Sequence, residues 1–406
     1  MSNCRTCNNP IEAFMTLGHM PFANGFLSPE QYDQEYFFDL DPAFCSKCGT
    51  FQIVEQPNPE KMFHENYVFF TRTSKHMVEH YGRYANWVQE TWLDDEDASF
   101  VVEIGSNDGA LLENFATQGI KHLGVEPSGN VADVARSHGV STLTSFFGED
   151  SAKEVLREHG PADAIMAANV MCHIPDLHGV AKGVCTLLKK KGVLIFEDPY
   201  LGEMVERTSY DQIYSDHVYI FSAGAVRSIF EPHGLELIDV LPQITHGGSM
   251  RYVFARKGER SVSSNVGKLL SHEDELGLSN PATFDRFKSN CETSREQLVS
   301  LLQRFKQEGK RVIGYGASAK STTVLNYCQI GPDLIEFISD TTPIKQGKYS
   351  PGMHIPVRPY SEFKENYPDV ALMFTWNHSV EILENEAEFI QSGGQWIVYV
   401  PKVRIF

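Results

Sequence analysis

Residues 210 to 222 read Tyr210-Asp211-Gln212-Ile213-Tyr214-Ser215-Asp216-His217-Val218-Tyr219-Ile220-Phe221-Ser222, and crowd acids, tyrosines and one histidine among large apolar side chains. Histidine has the proton affinity nearest neutral pH, which suits His217 to general-base work. Asp216 and Tyr214 have the chemistry to orient its ring or to handle a proton at a neighbouring oxygen. An isolated histidine in apolar surroundings is ordinarily a satisfied core residue, and the polar company of His217 reverses that preference. A second histidine, His173, follows a strand expected over residues 164–167, in the run Asn169-Val170-Met171-Cys172-His173-Ile174-Pro175-Asp176. It is placed to orient substrate, or else to pin the loop that Pro175 bends.

The run Val101-Val102-Glu103-Ile104-Gly105-Ser106-Asn107-Asp108-Gly109 ends a short apolar strand in an acid. It then turns through two glycines toward a helix expected to begin near Ala110. Glycines at the carboxyl end of a parallel strand let a ligand approach the backbone closely. Glu126 closes the next expected strand (residues 122–125), about 20 residues further on, where a carboxylate accepts from ribose hydroxyls in nucleotide-binding units. The spacing is not Gly-x-Gly-x-x-Gly. The acid-then-glycine form resembles the first loop of class I S-adenosylmethionine (SAM) methyltransferases. That resemblance implies that Glu103, Gly105, Ser106, Asn107, Asp108, Gly109, Glu126 and Asn169 line the cofactor.

Two C-x-x-C pairs, Cys4/Cys7 and Cys45/Cys48, sit in Asn-, Pro- and Gly-bearing turns. Four thiolates complete a tetrahedral zinc site and leave no open coordination position, so the expected zinc is structural. The other four cysteines are expected to be packing residues.

Around these residues the chain organises as an α/β protein. A zinc-binding domain is expected over residues 1–75, a doubly wound methyltransferase domain over 76–257, and a second Rossmann-like unit with a leading helix over 258–406. Central strands are expected at 100–104, 122–125, 164–167 and 193–197, closed by a hairpin at 235–240 and 251–255. Residues 258–280 read as a polar linker. The run Arg311 to Ser318 reads as a strand into a glycine turn, and further strands are expected at 334–338, 370–374 and 396–400. The glycine turn Gly314-Tyr315-Gly316 serves either a second nucleotide or close helix–strand packing. With 406 residues, 42% hydrophobic, and a net charge of −18, the chain is a globular protein without a nucleic-acid footprint. Neither a signal-like segment nor a membrane-length apolar run is evident, so a cytoplasmic protein without membrane partners is expected.

The succession C-x-x-C, C-x-x-C-G, E-I-G-S-N-D-G, H-I-P-D, D-H-V-Y-I-F-S, H-G-G-S-M-R and G-Y-G-A-S-A-K resembles the three-domain sugar C-methyltransferases. The resemblance implies methylation at C3 of a nucleotide-linked 4-keto-6-deoxysugar, with SAM and structural zinc as cofactors. It gives His217 as the base, with Tyr214, His173 and Asp216 around the sugar, and places Tyr67 at the substrate. The position of Asp216 is commonly glutamate in that family. Donors to the sugar diphosphate are expected from Ser249, Arg251, Lys320, Lys345 and Lys348. The alternatives are O- or N-methylation of a sugar or other small molecule, nicotinamide chemistry at the C-terminal turn, and a non-enzymatic binding module. Against nicotinamide chemistry it counts that Asp340 is the nearest acid and does not clearly match the ribose position. Against a binding module the Tyr214–His217 cluster speaks.

Overall fold

The computed structural model describes residues 2–62, 67, 69–93 and 99–406. Its largest sheet has seven strands in the order Leu235–Gln243, Ser249–Arg256, Leu188–Pro199, Ala162–Ala168, Phe100–Ile104, Lys121–Val125 and Thr142–Leu143. Only Ser249–Arg256 runs against its neighbours. The strands are near-continuous apolar runs because both faces are covered. Val102, Ile104 and Phe196 pack on one side, and Val101, Ile195 and Val253 on the other.

The helix Lys75–Trp92 covers the second face. Ser74 caps it by accepting from Met77 N–H, and Met77, Tyr81, Tyr84, Ala85 and Val88 form its buried stripe. After the acid-bearing loop the helix starts later than expected, at Glu113–Ala116, and residues 109–112 form turns. Gly109 sits at φ +77, and an added Cβ would lie 3.0 Å from both Ala135 and Val140, so the turn is held tight before helix can form.

The expected linker is instead largely helical, Ser264–Leu276. Ser263 caps it and Gly277 ends it in the left-handed region. Its apolar stripe is thin, with Val266 and Glu273 the buried positions, which is why the sequence reads as loop. Glu273 accepts from Ala223 and Gly224 N–H at the start of the helix Ala223–Phe230, pinning the segment to the central sheet.

The C-terminal sheet runs Val357–Pro359, Ile338–Asp340, Val312–Tyr315, Val370–Met373, Gln395–Val398 and Arg404–Ile405, parallel except for the last strand. The expected strand at 334–338 is displaced to Ile338–Asp340. In the N-terminal module Pro42–Phe44 and Phe51–Ile53 form a sheet whose third strand, Tyr219–Ile220, comes from the segment bearing His217. One continuous core joins the regions: Phe38, Phe51 and Ile53 pack with Tyr210, Ile213 and Ile220, and on to Phe284, Val324 and Trp376.

Candidate active site and zinc-binding module

Strand pairing fixes the chemistry-bearing segment from one side. Gln52 stands opposite Tyr219, and Ile53 N–H donates to Val218 O at 3.0 Å. Ala23 N–H donates to Ser215 Oγ at 3.1 Å, and Asn24 Nδ2 reaches Asp216 Oδ2 at 3.5 Å. The C-terminal unit holds the other side. Thr323 Oγ1 donates to Ile213 O at 2.9 Å, while Trp376 Nε1 and Tyr399 OH each donate to Asp211 Oδ2 at 2.7 Å.

Between these clamps His217 has one defined tautomer. Its Nδ1 lies 2.7 Å from Gln212 O, and a carbonyl can only accept, so Nδ1 carries the proton. Nε2 therefore presents a lone pair, 2.6 Å from Tyr214 OH, which donates to it. Burial first, then the neighbouring His173, holds the His217 imidazole well below its usual range. His173 stacks on it with centroids 5.3 Å apart and is itself lowered by burial, partly offset by Asp216. The Tyr214 phenol is pushed up, by burial before the Asp216 charge. Asp216 accepts from Ser215 Oγ at 2.5 Å. The structure thus gathers Tyr214, Asp216, His217 and His173 at one place, with an unprotonated imidazole nitrogen at its centre.

The acid-bearing loop makes a second cluster. Gly105 lies at φ +65, and a Cβ there would come within 2.6 Å of Val170, so the Asn169 loop can sit directly against it. Glu126 accepts from Asn107 N–H at 2.9 Å and Ser128 N–H at 2.8 Å. Glu103 Oε2, Ser106 Oγ, Asp108 Oδ1, Ser128 Oγ, Asn130 Oδ1 and Asn169 Oδ1 are buried with no hydrogen-bond partner among the described residues. Burial, with Glu126 and Asp108 as like-charged neighbours, raises Glu103 well above the carboxylate range. Buried polar atoms need partners. Clustered acceptors and crowded acids fit a ligand rich in donors and carrying a cation, as the amino acid and ribose ends of SAM are.

A strap that sequence reasoning missed crosses this loop. Thr71 N–H donates to Asn107 Oδ1 at 3.1 Å, Arg72 N–H to Asp108 Oδ2 at 2.9 Å, and Asn107 Nδ2 to Phe69 O at 3.1 Å. Tyr67 accepts from Asn130 Nδ2 at 2.8 Å through its carbonyl. Its phenol is pushed up by burial first, then by the charges of Asp216 and Glu126.

The expected diphosphate donors divide. Arg251 is corrected: its Nε and Nη2 meet Glu197 Oε2 at 3.0 and 2.8 Å, and its plane lies 3.7 Å from the centroid of the Tyr84 ring. His80 closes the same network on Glu197 Oε1 at 2.5 Å, so the guanidinium is consumed internally. Ser249 Oγ donates to Thr245 O. Lys345 Nζ donates to Ala317 O at 2.7 Å, and Lys348 accepts from Val357 N–H in the same loop. Lys320 Nζ donates to His246 O and Asn377 Oδ1, each at 3.1 Å, and lies 4.6 Å from the Trp376 ring. His246 Nε2 is buried without a partner among the described residues, and His76 meets His378 edge-on at 5.8 Å. None of these three histidines was singled out by the sequence, since they come from three separate elements: the start of the helix Lys75–Trp92 and the short turns Thr245–Gly247 and Trp376–His378.

The C-terminal glycine turn shows close packing. A Cβ at Gly314 would meet Phe374 at 2.6 Å and one at Gly316 would meet Thr375 at 2.6 Å. Asp340 accepts from Ala317 and Thr342 N–H.

In the zinc-binding module all four cysteine sulfurs lie within 4.8 Å of one another. Cys4 and Cys48 Sγ are 3.5 Å apart, as are Cys7 and Cys45 Sγ. Both knuckles share a turn: Asn8 N–H returns to Cys4 O, Gly49 N–H to Cys45 O, and Asn8 and Gly49 have positive φ. Gln52 Nε2 donates to Cys4 Sγ at 3.1 Å, a hydrogen bond that stabilises the charge of a metal-binding thiolate. The donor set fits zinc, held by Cys4, Cys7, Cys45 and Cys48.

Fold and sites together define a SAM-dependent methyltransferase joined to a zinc-binding module. Three family models match successive stretches of the chain. Residues 4–63 match a zinc binding domain, 77–240 a methyltransferase domain, and 244–401 a domain described as "C-methyltransferase C-terminal domain". C-methyltransferase NovU of Streptomyces niveus is 34% identical over 410 aligned residues, which cover 100% of this chain and 97% of that one. The chain belongs to the three-domain SAM-dependent C-methyltransferase family. A ubiquinone biosynthesis O-methyltransferase of Paramagnetospirillum magneticum is 24% identical over 46% of this chain and 66% of its own length. The SAM-bound magnesium protoporphyrin IX methyltransferase of Synechocystis PCC 6803 is 13% identical, is matched over 44% of this chain and 79% of that chain, and overlaps with a TM-score of 0.34. Among the described residues no helix is long and apolar enough to cross a membrane.

Proposed function

We propose that this C-methyltransferase acts at C3 of a nucleotide-linked 4-keto-6-deoxysugar, with His217 removing the C3 proton. The observation that carries the reading is the His217 tautomer, with Nδ1–H on Gln212 O and the lone pair of Nε2 directed to Tyr214. A ketone acidifies the adjacent C–H because loss of that proton gives a delocalised enolate. O-methylation needs no carbon acid, and an imidazole base serves a hydroxyl as well, so it is the likeness to C-methyltransferases that favours carbon as the acceptor. Bound SAM supplies a methyl group on a sulfonium for the sugar carbanion to attack.

The remaining roles belong to the chain. His173 lies beside His217 as a donor for the developing oxyanion, and Tyr214, its phenol held protonated by burial, joins it once substrate turns its single O–H away from His217 Nε2. Asp216 and Tyr67 frame the sugar. Burial of the whole cluster excludes water and aligns the two substrates, an effect worth several kcal/mol, about 7–11 in the best-oriented cases. Lys320 is the diphosphate donor that best fits, as a buried ammonium whose two contacts are neutral oxygens.

The test is incubation with SAM and a panel of nucleotide 4-keto-6-deoxysugars, read by mass spectrometry and NMR. A methyl group on C3, and deuterium entering C3 from D2O without SAM, are expected. His217→Gln should lower both exchange and turnover by about 10²–10⁴-fold, with SAM affinity changed little. Full exchange in that variant would remove His217 from the base's role, and methyl appearing on oxygen would replace the reading.

A further inference from the structure

The base is prepared by a domain that contributes no atom to its ring. We infer that Asp211, gripped by Trp376 and Tyr399 of the C-terminal unit, is the positioning residue that fixes the tautomer of His217 through the carbonyl of Gln212. Asp211 is fully buried in the short turn Tyr210–Gln212, and its Oδ2 accepts from both Trp376 Nε1 and Tyr399 OH at 2.7 Å. Its neighbours are docked on the same surface. Tyr210 packs against Tyr327 and Tyr399, with centroids 5.5 and 6.1 Å apart, and Ile213 O accepts from Thr323 Oγ1. Gln212 lies between these two fixed points, so the direction of its carbonyl is set by the C-terminal unit.

That direction decides which imidazole nitrogen is basic. Nδ1 can meet a carbonyl only as a donor, and a neutral ring then has its lone pair on Nε2, facing Tyr214. If the turn relaxes, Nδ1 loses its acceptor and the ring populates the other tautomer. In that form Nε2–H faces Tyr214 and abstracts nothing. A carboxylate suits the role because one oxygen can accept two strong bonds from two different elements of the C-terminal unit. The sequence offers no hint of this, since the partners lie 165 and 188 residues away.

The inference rests on His217 being the base, yet its first readout needs no turnover. The full-length, zinc-loaded protein is labelled with 15N-histidine, and His217 is assigned among the 15 histidines by its loss in His217→Gln. In the parent protein its Nδ1 should be protonated and its Nε2 bare. Tyr399→Phe is expected to introduce the second tautomer. It should lower kcat by roughly 3- to 30-fold with KM and SAM affinity unchanged, a partial loss of the general-base factor. Trp376→Phe checks the same contact from the other element. A His217 signal that stays Nδ1-protonated with full kcat in both variants would overturn the tether. Tautomer mixing in a protein whose His217→Gln variant still exchanges C3 would keep the tether and retire the base.

Discussion

His217 works through what surrounds it. Burial and the stacked His173 disfavour the imidazolium, so the ring is unprotonated well below pH 6.5 in the free protein. A base is active when unprotonated, so the sign is clear: kcat/KM falls only as pH drops through a depressed pKa. The pH profile should therefore be level from neutral pH down past 6.5, with its acid limb below that value. A limb centred near 6.5 or above would mean that a different group titrates. The sequence showed this cluster because its four members lie within two short motifs. It did not show Asn24, Asp211 or Gln212 in their roles, because each acts through a backbone bond or across domains. Arg251 misled for a related reason. An arginine after glycines looks like a phosphate clamp until Glu197 is found beneath it, on a neighbouring strand whose own register no motif reports.

At the scale of elements, the zinc-binding module is a strand donor. Gln52 joins the two functions in one residue: its side chain bonds Cys4 Sγ, and its backbone stands opposite Tyr219, two residues from His217. Structural zinc contributes about 10–16 kcal/mol of apparent binding free energy in small domains, as large as a typical domain's whole stability of about 5–15 kcal/mol. Metal removal should consequently free the edge of the His217 segment. Chelation, or Cys45→Ser, is expected to raise amide exchange across residues 214–222 by on the order of tenfold while the central strand Phe100–Ile104 keeps its protection. Unchanged protection would mean that the strand pairing stands without metal. The knuckles were legible because C-x-x-C spacing reflects ligand geometry. The helix Ser264–Leu276 was not, because a helix that leans on its neighbours through one buried carboxylate carries little hydrophobic period.

At the scale of the whole molecule, the catalytic segment belongs to no single domain. Its strand edge is held by the N-terminal module and its turn by the C-terminal unit, beside the loops of the central sheet. The central and C-terminal sheets could be read from alternating strand and glycine-turn patterns, since each depends on local sequence. Their mutual docking could not, since it depends on contacts such as Thr322 Oγ1 to Ala23 O, 299 residues apart. The same docking buries Lys320 at the seam with two neutral acceptors, while Asp211, the acid that supports its charge, gives Oδ2 to Trp376 and Tyr399. A buried ammonium is stable only when its charge is answered, and on the proposed function its third N–H answers the sugar diphosphate. Lys320→Met should raise KM for the nucleotide sugar, and the inhibition constant of the free nucleoside diphosphate, by about tenfold each, the worth of one charge-assisted bond near 1.4 kcal/mol. SAM affinity should hold, because its cluster lies on the loops at 103–109, 126 and 169. If both constants are unmoved in a folded Lys320→Met protein, the diphosphate lies elsewhere on the seam, and the Lys345 loop, whose ammonium rests on Ala317 O at the neighbouring turn, becomes the surface to probe.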